Sequence, residues 1–186
     1  LVGMYVNDSK RQVEDAWGWE VLDTSLPVTT APGTTLYTVT GSGIRQRGVS
    51  ANITTSGQQT SLRQRPLKWM QDQHQLTTVQ SSRPVYFAWS GNDGTDSKVE
   101  LFPTPDGIYN ISFNMTVPQV SLMDDADVLM VASEPVIAGA FARALVERGE
   151  DGGLSSSEAY SVFKSILSDY IAVESTHTDN NDVWVA

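Results

Sequence analysis

The stretch RPVYFAWSGNDGTDSKVELFPTPDGIYNISFNMTV, residues 83–117, decides how the chain is read. Residues 85–89, 98–102 and 109–117 concentrate β-branched and aromatic side chains between turn formers, the composition of strands. Along the last run Tyr109, Ile111, Phe113, Met115 and Val117 alternate with Asn110, Ser112, Asn114 and Thr116. One face is therefore dry and the other wet, as in an antiparallel sheet. Between the second and third runs lies Pro103-Thr104-Pro105-Asp106-Gly107. Proline presets φ, Asp bonds its own backbone and Gly accepts positive φ, so the segment is a turn. The spacing predicts a hairpin joining 98–102 to 109–117.

Upstream, residues 34–39, 49–55 and 60–65 read as further strands, separated by turns at Gly41-Ser42-Gly43 and Ser56-Gly57. Residues 66–75, PLKWMQDQHQ, fit neither period and read as a short helical turn laid over the sheet. About six strands with tight turns predict a small sandwich or open barrel.

The flanks have helical periodicity. Over residues 2–21, Val2, Val6, Val13, Ala16, Trp17 and Val21 share a face, with Lys10, Arg11, Glu14 and Asp15 opposite. Pro27, Pro32 and Gly33 lie beyond its end. After Pro118, Asp124, Asp125 and Asp127 read as a solvated acidic link. Ser133-Glu134-Pro135 then opens a helix reaching Arg148. Its Gly139 costs about 1 kcal/mol against Ala unless a close helix contact needs the room. Ser155 and Glu158 form a capping box for a third helix ending near Glu174, with an apolar stripe through Val162, Phe163, Ile166, Leu167 and Tyr170.

The expected fold class is α+β: a helical bundle of the N-terminal helix plus two C-terminal helices, an inserted antiparallel β-sandwich or barrel-like lobe, and an extended C-terminal tail. The expected division is 1–23 with 121–175, then 24–120, then 176–186. The tail, THTDNNDVWVA, has little to order it. Fixing its backbone costs about 1–2 kcal/mol per residue, against a few kcal/mol from each of Val183, Trp184 and Val185. Asp179, Asp182, Val183, Trp184 and Val185 therefore read as an anchor for a partner's groove.

Composition excludes several functions. The chain has 186 residues, 40% of them apolar, enough for a real core. No apolar run approaches the roughly 20 residues of a membrane helix, and no basic-then-apolar leader opens the sequence. Without cysteine there is no thiol catalysis or Cys-based zinc site. His74 and His177 have no metal-ligand spacing, and no G-x-S-x-G turn accompanies them. Residues 41–48, GSGIRQRG, lack the Lys of a phosphate loop and read as a turn. No catalytic residue, metal or cofactor is indicated. A net charge of −10 opposes tight duplex binding. Residues 24–92 nevertheless hold Arg45, Arg47, Arg63, Arg65, Lys68 and Arg83 against Asp72 alone, a basic middle suited to acidic neighbours.

The order helix, β insertion, two helices, acidic tail resembles the head-to-tail adaptor proteins of short-tailed phages, the head-completion or tail tubular protein A type. The residues carrying the resemblance are Val13-Glu14-Asp15-Ala16-Trp17-Gly18-Trp19, Pro32-Gly33-Thr34-Thr35-Leu36-Tyr37-Thr38-Val39, Arg83-Pro84-Val85-Tyr86-Phe87-Ala88-Trp89, Leu101-Phe102-Pro103-Thr104-Pro105-Asp106-Gly107 with Tyr109, and the 125–127 link before the helix from Ser133. The resemblance implies a non-enzymatic virion protein of the head–tail junction, assembled in the host cytoplasm without membrane. It implies a homo-oligomeric ring, a dodecamer, between the portal protein and the tail tube or nozzle protein. DNA would pass through without tight binding. The tail residues Asp179, Asp182, Val183, Trp184 and Val185 would enter the portal. Arg45, Arg47, Arg63, Arg65 and Lys68 would contact an acidic tail component or form a cuff around the DNA channel. The alternative is a β-sandwich carbohydrate-binding or receptor-binding module using Trp69 or Trp89.

Overall fold

A computed structural model describes residues 1–76, 81–148 and 154–178. The elements are helix α1 (Val2–Ala16), strands β1 (Asp23–Thr29), β2 (Leu36–Thr38), β3 (Arg47–Ile53) and β4 (Thr60–Gln64), helix α2 (Leu67–Leu76), strands β5 (Tyr86–Asn92), β6 (Ser97–Phe102) and β7 (Asn110–Thr116), then helices α3 (Ser133–Arg148) and α4 (Leu154–Thr178). They divide into two compact units. One is Leu1–Leu22 with Pro118–Ala186, the other Asp23–Val117.

The expected bundle carrying an inserted sandwich is corrected here. The β unit is one seven-stranded sheet in the order β1-β7-β3-β4-β5-β6-β2, not two facing sheets, and its β4–β5 pair is parallel. Among the described residues there are four α-helices, and one of them, α2, belongs to this unit. The sheet makes its core by curling into a near-barrel. Phe87 on β5 and Phe113 on β7 are three strand pairings apart, about 14 Å in a flat sheet. Their ring centroids are 5.7 Å apart, and Trp89 is 6.0 Å from Phe113. Val28, Val39, Ile53, Leu62 and Leu101 complete the enclosed face.

The predicted hairpin between 98–102 and 109–117 does not form. β6 pairs with β5 and β2, whereas β7 pairs with β1 and β3. The proline-rich turn instead carries the chain between distant strands, and its Pro105 carbonyl accepts from Gly33 N at 2.9 Å. The hairpins among the described residues are β3–β4 and β5–β6, and the second has an Asx-anchored turn. In the β5–β6 turn the Asp93 carboxylate accepts from Asp96 N and Thr95 N, which lowers its pKa. Sequence reading also missed β1, because Pro27 interrupts it. β1 is an edge strand paired only with β7, so a missing N–H breaks no ladder bond on the open side.

In the other unit α3 packs on both α1 and α4 around Val13, Trp19, Leu22, Val131, Val136 and Phe163. The first helix is shorter than expected and ends at Ala16. The chain then folds back, so that buried Trp19 donates its indole N–H to the Val13 carbonyl at 2.7 Å. The expected polar side of α1 is also wrong in part. Lys10 and Glu14 are 1% and 0% exposed, while Val2 is 73% exposed.

Gly139 shows why a helix of this composition tolerates glycine. A β-carbon there would overlap Ser9 Oγ and lie 3.1 Å from the Phe163 ring. Gly139→Ala should therefore destabilise the protein by about 1–3 kcal/mol in denaturant titrations, despite alanine's better helix propensity. Adding Ser9→Ala should recover part of the loss.

Candidate functional site

Two surfaces carry concentrated chemistry, and each is built by its local elements. In the β unit, β3 and β4 are antiparallel, with Ala51 opposite Leu62. The start of β3 and the end of β4 therefore lie at one end of the sheet. Alternation that buries Leu62 turns Arg63 outward. Pro66 precedes α2, whose Trp69 packs edge-on against Tyr86 at 5.1 Å and Phe102 at 5.9 Å. Met70, fully buried, completes the attachment of α2. The Arg65 guanidinium lies over both rings, 5.6 Å from Trp69 and 5.4 Å from Tyr86. Arg63, Arg65 and Lys68 thus form an exposed basic corner on a rigid strand–helix junction.

Arg45 and Arg47 lie in the loop before β3 and at its first residue, toward the same end of the sheet. The adjoining glycine turn does hold an anion, but an internal one. Asp96 Oδ1 accepts from Gly41 N at 3.0 Å and Gly43 N at 3.1 Å. Trp89 is spent on the sheet core and Trp69 on seating α2, so neither ring is a free platform for sugar. His74 Nε2 lies 3.1 Å from Glu100 Oε1. No group of three or more His, Asp or Glu suited to a metal ion occurs among the described residues. The tail residues Asp179, Asp182, Val183, Trp184 and Val185 lie outside the described residues.

The second surface is the loop of residues 119–130, which sequence reading treated as a plain acidic link. It is tied down at four places. The buried Lys10 ammonium donates to the carbonyls of Gln119 at 2.6 Å and Val120 at 2.7 Å, with Glu14 Oε1 at 3.4 Å. Glu14 Oε1 also accepts from Gln119 N at 3.2 Å. Asn7 makes a two-way amide pair with Leu122, donating at 2.9 Å and accepting at 2.8 Å. The Gln119 side chain closes the loop by donating to Val128 O at 2.7 Å and accepting from Met130 N at 3.1 Å. Asp127 accepts from Asp124 N and Met123 N, and these bonds lower its pKa. The one sequence signal for this was the polar stripe Asn7, Lys10, Glu14 at i, i+3, i+7 along one side of an amphipathic helix.

With its backbone held, the loop presents Val120, Met123 and Val128 at 83%, 86% and 78% exposure, around exposed Asp124 and Asp125. Large apolar side chains displayed on a fixed backbone make this loop a candidate interaction surface. Both surfaces suit macromolecular contact rather than a small ligand.

A family model for the SU10 adaptor protein matches residues 2–183. The chain belongs to that family, in agreement with the resemblance to phage head-to-tail adaptors, and its role is that of a structural phage adaptor located in the virion. No curated protein matches the chain at a significant level. Among the described residues no helix is long and apolar enough to cross a membrane.

Lys10→Met should cost about 3–5 kcal/mol in denaturant unfolding, because Glu14 is left buried without its cation, and Lys10→Met with Glu14→Leu should cost less. The Asp127 contribution has a defined pH window. A carboxyl held below its ordinary pKa of about 3.9 stabilises fully above that value and loses its effect as pH falls through the lower folded value. Asp127→Ala should increase proteolytic cleavage of the loop at pH 7, and wild type should approach the variant in acid, read with an acid-active protease.

Proposed function

We propose that the chain is the ring-forming connector of a phage head–tail junction, joining the portal to the tail tube or nozzle and leaving a path for DNA. The observation that carries this reading is the family match, which spans both compact units from residue 2 to 183. A dodecamer is the proposed assembly. The C-terminal residues Asp179, Asp182, Val183, Trp184 and Val185 enter the portal, since an acidic spacer ending in apolar residues gains most by ordering in a partner's groove.

Arg45, Arg47, Arg63, Arg65 and Lys68 supply contacts to acidic protein surfaces of the junction, the tail component among them, with DNA-channel contact as the alternative. The net charge of −10 supports passage without gripping, because duplex affinity comes from phosphate neutralisation. Packing of Trp69 against Tyr86 and Phe102 and of Trp89 against the sheet core favours the connector reading over a sugar-binding module. Catalysis forms no part of the reading.

Negative-stain imaging of the protein with its portal, beside a chain ended after Thr178, tests the proposal. Rings at the portal's tail end, weakened by the truncation, are expected. Monomers that ignore the portal would overturn it.

A further inference from the structure

The charges of this chain are segregated between its units. Asp23–Val117 holds seven basic residues and six acids, while the rest of the chain holds five basic residues and sixteen acids. Within this pattern the basic corner is unsatisfied. Arg63, Arg65 and Lys68 make no ion pair among the described residues, and Asp72 lies one turn on from Lys68 in α2. Arg65 is already oriented by Trp69 and Tyr86, so its guanidinium edge meets a carboxylate with little further ordering.

The 119–130 loop offers the opposite chemistry. Asp124 and Asp125 are exposed and make no ion pair, whereas Asp127 is committed to the turn. Their neighbours Met123 and Val128 are the apolar contact that exposed ion pairs need, since such pairs contribute register more than affinity. At the corner, half-buried Trp69 beneath Arg65 is the apolar counterpart. Two different, complementary patches on one chain make a head-to-tail contact, the kind that closes rings.

We infer that the 119–130 loop of one copy docks on the Arg63–Arg65–Lys68 corner of the next copy, with Asp124 and Asp125 meeting the basic side chains. This rests on the ring reading above and names its subunit interface. Arg45 and Arg47, in the loop before β3 and at its first residue, are left for the tail component.

The test is reciprocal charge reversal in the full chain with portal present, with assembly read by mass photometry and folding by circular dichroism. Arg63→Glu with Arg65→Glu in one chain, and Asp124→Lys with Asp125→Lys in another, should each abolish rings while leaving a folded monomer. Mixing the two variants should restore rings, because wild-type contacts then alternate with fully reversed ones. Either variant assembling like wild type would overturn the inference and leave the connector reading standing. Loss of assembly without restoration would also overturn it, and would assign these charges to the portal or tail partner. Absence of rings from wild type would overturn the connector reading itself.

Discussion

A buried ammonium governs the helical unit. Lys10 has left water, and a desolvated charge is tolerated only where its donors are matched. Here two carbonyls and the Glu14 carboxylate match it, and the carbonyls belong to residues over a hundred positions further along the chain. The pair therefore ties the N-terminal helix to the segment that follows the β insertion. It does what a disulfide would do in a chain that has no cysteine. With Gln119 and Val120 fixed, the following loop has a defined start, and Asn7 and Asp127 set its course. Ser9, on the same face of α1, then meets α3 where only Gly139 leaves room.

The β unit answers a different constraint. A sheet with one dry face must cover it, and this one has no facing sheet to use. It curls until Phe87 and Trp89 reach Phe113 across the enclosed space. Over β5 and β6, the wet face also carries aromatic side chains, Tyr86 and Phe102, and α2 covers them through Trp69, Met70 and His74. The same aromatic contact that seats α2 also orients Arg65. Packing and surface chemistry are thus coupled at the basic corner.

An adaptor works by presenting fixed surfaces to neighbours. That demand accounts for apolar side chains left in water in an isolated monomer, Met123 and Val128, and for the exposed cations Arg63, Arg65 and Lys68, which make no ion pair among the described residues. Their backbones are rigid, so little entropy is lost when they are covered.

Local pattern alone carried much of this. Alternation over 109–117, the helix starts close to Ser133 and Ser155, and the acidic and basic blocks were all readable, because they depend on neighbours in sequence. The order of short motifs was enough to suggest the family. Tertiary structure decided the rest. Turn chemistry at 103–107 determined that the chain bends there but not which strand it joins, since pairing depends on partners far along the chain. Pro27 reads as a strand breaker until the strand is seen to be an edge. Lys10 and Glu14 read as solvated because charge alone predicts exposure, and only the carbonyls delivered by Gln119 and Val120 make their burial stable.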